Sequence, residues 1–176
     1  NKKPLIYLTW KNITKSVDKN IVYVATDSKI IVNLCKKNNI EAIITNKNIK
    51  SGTDRVFFAY ESLKKNYDLI VNLQGDLPIF EKELIKKTAA LFLDKKTEIS
   101  SAVCDLESSE INDKNIVKTN VQLDEKNEGF AKDFLRSINT KVNHYHHIGL
   151  YIYSPISLKK FVNLSQTDNE IDRSLE

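Results

Sequence analysis

Cysteine is scarce in this chain. Cys35 and Cys104 are the only two in 176 residues. They stand far apart and match no metal-ligand spacing. That excludes a disulfide framework and points to a reducing compartment. Long apolar runs are missing as well: no segment approaches the roughly 18 apolar residues that mark a membrane-spanning helix. No signal-peptide pattern opens the chain, so the expected location is cytoplasmic, with no membrane partner. One-sided charge is also lacking. Lysine and arginine number 27 against 23 aspartates and glutamates, a net charge of +4. So small an excess suits an anionic small molecule and gives no indication of nucleic acid as a partner. No internal repeat, low-complexity tract or linker breaks the chain.

What is present reads as one globular domain. An apolar content of 41% and a charged content of 28% are ordinary for such a domain, and the length allows a real core. The organising stretch is DLIVNLQGDLP, residues 68–78. Residues 69–73 form a short run rich in branched apolar side chains, suited to a strand buried on both faces. Gly75 and Pro78 stop it, and Asp76 stands where the chain leaves the strand. Ligands collect outside the carboxyl ends of strands in open α/β sheets. A carboxylate there can hold a hard cation such as Mg²⁺; the competing reading is a plain polar turn.

Around this stretch strands and helices alternate. Helices are expected over 4–15, 29–38, from Thr53 onwards, and over 81–94; strands over 20–25, 41–45, 68–73 and 99–103. Thr53 is a candidate helix cap, with Val56, Phe57, Ala59, Tyr60 and Leu63 as a core stripe. The pattern predicts a three-layer α/β domain with a mostly parallel central sheet. After Asp105 the character changes: strands over 116–122, 130–137 and 147–153 suggest a β-rich lobe. Pro155 then opens a helix at its permitted first position. His144, His146 and His147 lack a Cys, Asp or Glu at a spacing that would suggest zinc.

Four motifs occur in a fixed order: SGTDR from Ser51, VNLQGD-P through Asp76 and Pro78, HIGLYIY from His147, and EIDRSLE from Glu170 to Glu176. Each is weak alone, but in this order they closely resemble the 3-deoxy-manno-octulosonate (Kdo) cytidylyltransferases, and the resemblance runs over essentially the whole chain. It implies a nucleotide-diphospho-sugar-transferase-like fold. The implied reaction is CMP transfer from CTP to Kdo, giving CMP-Kdo and pyrophosphate for lipopolysaccharide assembly, in a homodimer that uses Mg²⁺.

Carried over residue by residue, the resemblance makes Asp76 the metal ligand and a catalytic residue. Lys3 becomes the last member of a triphosphate-gripping basic loop and the second catalytic candidate. Thr45, Ser51, Gly52 and Thr53 border the cytidine. Gln74, Arg136, His147, Glu170 and Glu176 face the acid sugar. Arg136 is the expected partner of the sugar carboxylate, since an arginine fork suits that group. Asp54 and Arg55 read as a helix-start pair. The family's first strand and loop, and a second metal-binding aspartate, are not found within 1–176, so a longer polypeptide is expected. Leu77, Ile49, the segment Phe134-Leu135-Arg136 and Arg173 depart from the family pattern. They leave open an amino-Kdo or sialic-acid-like acceptor. A non-catalytic nucleotide-binding or assembly module is the alternative from another class.

Overall fold

Alternation of strand and helix governs the first hundred residues of the computed structural model, which describes residues 3–49, 51–173 and 175. The chain divides into two units: Asn1–Ser100 with Leu150–Ser165, and Ser101–Gly149 with Gln166–Glu176. In the first unit the order is α1 (Leu5–Ile13), β1 (Val24–Thr26), α2 (Lys29–Lys37), β2 (Ala42–Ile44), α3 (Gly52–Leu63), β3 (Ile70–Leu73) and α4 (Leu84–Ala90). β4 (Ile99–Cys104) follows, and α5 (Pro155–Val162) comes late in the chain.

Local chemistry sets the helix ends. Ser28 caps α2 by accepting from the Ile31 N–H at 3.4 Å, and Lys36 and Lys37 occupy its last turn, where cations oppose the helix dipole. Ser154 caps α5 with Pro155 at the first position, as the sequence implies. The cap of α3 is Ser51, which accepts from the Asp54 N–H at 3.0 Å. Thr53, the expected cap, instead lies inside the first turn with its side chain buried.

Among the described residues, clusters of buried side chains hold this unit. Val24, Cys35 and Ile40 pack with Ile6, Tyr7, Trp10 and Ile31. Ile70, Tyr153 and Leu158 pack with Val56, Phe57 and Tyr60, which places the α3 stripe where its spacing predicts. β1 pairs in parallel with β2, whereas β3 pairs antiparallel with residues 150–153 of β7 (His144–Tyr153). The α/β class holds, with parallel pairing at β1–β2 and an antiparallel partner at β3.

The second unit is the β-rich segment. β5 (Lys118–Val121) and β6 (Ala131–Leu135) form an antiparallel hairpin, and β5 also pairs antiparallel with 144–146 of β7. The register shifts between Asn120 and Val121. Gly129 lies so close to the Gln122 carbonyl that any Cβ would collide with it, so the hairpin turn requires glycine there. α6 (Asp168–Arg173) is short, and the Leu175 N–H beyond it donates back to the Glu170 carbonyl at 3.0 Å.

Several expected boundaries move. The strand expected over 20–25 begins only at Val24, because Asp18 accepts from the Asn20 N–H and winds Lys19–Ile21 into a 3₁₀ turn. The helix expected over 81–94 keeps only Leu84–Ala90 as α-helix and tightens to 3₁₀ at Leu91–Leu93. The last long strand starts at His144 rather than His147, since β5 offers it partners from that point.

Burial separates two aliphatic side chains that sequence alone treats alike. Leu158 is fully buried and Ile30 is 80% exposed. Leu158→Ala should lower unfolding free energy by about 3 kcal/mol, the cost of a core cavity. Ile30→Ala should stay within about 0.5 kcal/mol of the parent. Urea denaturation of the two variants checks both.

Candidate functional site

The turn that follows β3 is held from α1. The Thr9 hydroxyl donates to the Gly75 carbonyl at 2.8 Å, and the Asn12 amide donates to the Phe80 carbonyl at 3.3 Å. The Leu77 N–H closes the turn on the Gln74 carbonyl at 3.2 Å. A Cβ on Gly75 would stand 3.1 Å from Ile6 Cδ1, so a small residue lets the turn approach α1. Gln74 and Asp76 are exposed on this anchored turn. Among the described residues the Asp76 carboxylate has no hydrogen-bonding or ionic partner, so its lone pairs stay open to a ligand.

Gln74, Gly75 and Asp76 line a cavity of about 570 Å³ together with Gly52 and Arg55 at the start of α3. Most of the remaining wall is apolar, including Trp10, Val24, Val56 and Tyr60. Polar chemistry is concentrated at the end formed by the β3 turn and the α3 N-terminus. Residues 22–25 and 69–73 border the cavity consecutively rather than alternately, so strand edges face it as well as side chains.

Arg55 organises the neighbouring loops. Its guanidinium donates to the Thr45 hydroxyl, to Asp27 Oδ2 at 3.3 Å and to the Ile49 carbonyl at 3.4 Å. One side chain thereby ties the chain after β1, the chain after β2 and the loop before α3 to the first turn of α3. Thr45 is buried and already accepts from Arg55, which leaves its own O–H to donate. Thr53 is buried, and the Asn72 amide donates to its hydroxyl at 3.5 Å. Ser51 spends its oxygen on the helix cap. Lys3 is exposed, with Nζ 4.9 Å from the centre of the Tyr7 ring.

In the second unit Arg136 points its guanidinium at main-chain oxygens. Nη1 donates to the carbonyls of Lys114 and Asn115 at 3.2 and 3.1 Å, and Nε to that of Arg173 at 3.4 Å. His147 is buried, 8% exposed, with Nε2 2.7 Å from the Ser101 hydroxyl and its ring edge-on to Phe134. His146 faces elsewhere, with Nδ1 2.9 Å from Glu110. Burial opposes ionisation of Glu110, but the Glu107 N–H and His146 together hold its carboxyl below the usual range. His144 bonds Asn120 and the Val142 carbonyl. Glu170 is half-buried, and the Thr167 N–H on its carboxylate lowers its pKa. Glu176 lies outside the described residues.

The first unit therefore brings Gln74, Asp76 and Gly52 to one cavity, with Thr45 and Ser51 tied to its rim through Arg55 and α3. Arg136, His147 and Glu170 belong to the second unit. Sequence reasoning missed Arg55 as the tie between loops, Ser101 as the partner of His147, and Lys118 as a buried cation. Arg55 carried a signal in its place within SGTDR. The other two carried none, because neither serine in a strand nor lysine in a polar segment announces burial.

A family model described as Cytidylyltransferase matches residues 1–176. The chain belongs to that cytidylyltransferase family. It is 32% identical to the 3-deoxy-manno-octulosonate cytidylyltransferase of Parabacteroides distasonis, over 100% of this chain and 74% of the relative. It is 36% identical to the enzyme of that name from Wigglesworthia glossinidia brevipalpis, over 93% of this chain and 69% of the relative. Its fold is similar to a solved CMP:2-keto-3-deoxy-manno-octonic acid synthetase complexed with CTP. That match has a TM-score of 0.81 at 24% identity and covers 98% of this chain and 72% of the other. No helix among the described residues of this cytidylyltransferase chain is long and apolar enough to cross a membrane.

His147 gives the second unit a pH signature. Burial lowers its pKa from 6.5 to about 4, with the charge of His146 acting in the same direction. Between those values the unfolded chain binds a proton that the folded chain refuses. This contribution is complete above pH 6.5 and is lost as pH falls towards 4. The loss amounts to roughly 3 kcal/mol. Unfolding free energies measured across this window should fall with that slope, and His147→Gln should flatten it.

Proposed function

We propose that this cytidylyltransferase transfers CMP from CTP to Kdo, releasing pyrophosphate and supplying CMP-Kdo for lipopolysaccharide assembly. The observation that carries the reading is Asp76. It is an exposed carboxylate without a partner among the described residues, on an anchored turn at the carboxyl end of β3, beside Gln74 and lining a cavity. The similarity along the whole chain to enzymes named for this reaction supports it.

The group this reading adds is Mg²⁺. Asp76 fits it: a hard oxygen donor, open to solvent and uncommitted among the described residues. Magnesium accepts one or two carboxylates and completes its shell with phosphates and water. When bound, it would supply neutralising charge for the phosphates.

The chain's own residues bind and orient the substrates. Gln74 hydrogen-bonds sugar hydroxyls beside the carboxylate. Thr45 and the Ser51-Gly52-Thr53 segment read the cytosine from the loops that Arg55 gathers, and Lys3 serves the triphosphate. Arg136 pairs with the sugar carboxylate, and a neutral His147 offers a hydrogen bond to the sugar. Glu170 and Glu176 lie on the sugar side of the assignment. Catalysis of this kind consists largely of alignment and charge stabilisation.

The reading extends to a cytoplasmic homodimer whose contact lies in the β-rich segment, where Phe130 and Val142 are exposed.

Pyrophosphate release from CTP, measured over Kdo, amino-Kdo and sialic acid, tests the assignment. Kdo should give the highest kcat/KM. Asp76→Asn should lower turnover by at least about a hundredfold, the scale of lost electrostatic stabilisation. Near-normal Mg²⁺-dependent turnover in that variant, or preference for another sugar, would overturn the reading.

A further inference from the structure

Lys118 is the most deeply buried charge in the second unit, with no exposed surface. It stands on β5, opposite Leu135 in β6 and His146 in β7. No carboxylate lies within ion-pair distance among the described residues. Its ammonium instead donates to two carbonyls, Asp113 at 2.5 Å and Arg136 at 3.0 Å. Burial pulls its pKa down against the raising influence of Asp113 and Glu110. An ammonium in such a place is expensive unless converging oxygens hold it.

The identity of those oxygens gives the lysine its purpose. Asp113 is followed by Lys114 and Asn115, whose carbonyls receive the Arg136 guanidinium. The other carbonyl on Lys118 is that of Arg136 itself. Lys118 thus grips both ends of one anchor: the backbone that carries Arg136 and the turn that aims its side chain. Three successive carbonyls, 113–115, are shared between two cations. The turn cannot shift without breaking bonds to both.

From this we infer that Lys118 is a positioning residue for the acid sugar, acting through Arg136. It rests on the reading of Arg136 as the carboxylate partner. A point charge on two carbonyls fixes the fork of Arg136 in direction, and carboxylate pairing is sensitive to that direction.

The test uses Lys118→Met, which keeps length and removes charge. The KM for Kdo should rise about tenfold with the CTP KM little changed, as expected when a binding group is misplaced. The Nε–H signal of Arg136 in ¹⁵N NMR should lose its rigid relaxation behaviour. In the double variant with Arg136→Ala, the Kdo KM should be no higher than with Arg136→Ala alone. An Arg136 Nε–H as rigid as in the parent, or equal rises in both KM values, would overturn the inference. If Arg136→Ala leaves the Kdo KM unchanged, the sugar role of Arg136 fails, and the NMR result alone then decides whether Lys118 orients it. Should Lys118→Met not fold, Lys118→Gln permits the same measurements with a neutral donor.

Discussion

The hydrogen bond from the Thr9 hydroxyl to the Gly75 carbonyl is the constraint on which the first unit's chemistry depends. A strand end is ordinarily a mobile place to put a carboxylate. Here the turn is closed on itself, tied to α1 at Gly75 and again at Phe80, and packed against Ile6. Asp76 and Gln74 are presented to solvent from a rigid support, which is what an electrostatic site needs. Glycine at position 75 suits this close approach, since a Cβ there would press on the Ile6 Cδ1 at 3.1 Å.

The two units solve the same problem by different means. In the first, Arg55 gathers three loops with one exposed-edge guanidinium and leaves the Asp76 carboxylate uncommitted. In the second, polar groups are taken inside and held by hydrogen bonds: Lys118 on carbonyls and His147 on Ser101. Buried polar groups of this sort fix geometry because every alternative arrangement leaves one of them unsatisfied.

Much of this was legible in the sequence. Alternating apolar runs and helical spacing gave the α/β order, the α3 stripe and the change to β-rich structure after Asp105. The DLIVNLQGDLP run placed Asp76 at a strand end, where the structure has it. Turn chemistry was harder to read. Asp18 competes for the Asn20 N–H and converts an apolar run into a 3₁₀ turn. Ser51 and Thr53 are both good caps, and packing of Thr53 beside Asn72 decides between them. Pairing direction at β3 depends on β7, which lies about eighty residues away in sequence and leaves no local trace. Lys118 and Ser101 acquire their roles only through neighbours brought together by the hairpin and β7.

The central claim is that the turn after β3 and the start of α3 form the CTP site. Backbone hydrogen exchange with and without CTP addresses it directly. The account predicts slowed exchange at 44–45, 51–55 and 74–76, with residues 118–121 and 131–135 unaffected. Protection confined to β5 and β6, with the β3 turn unchanged, would contradict it.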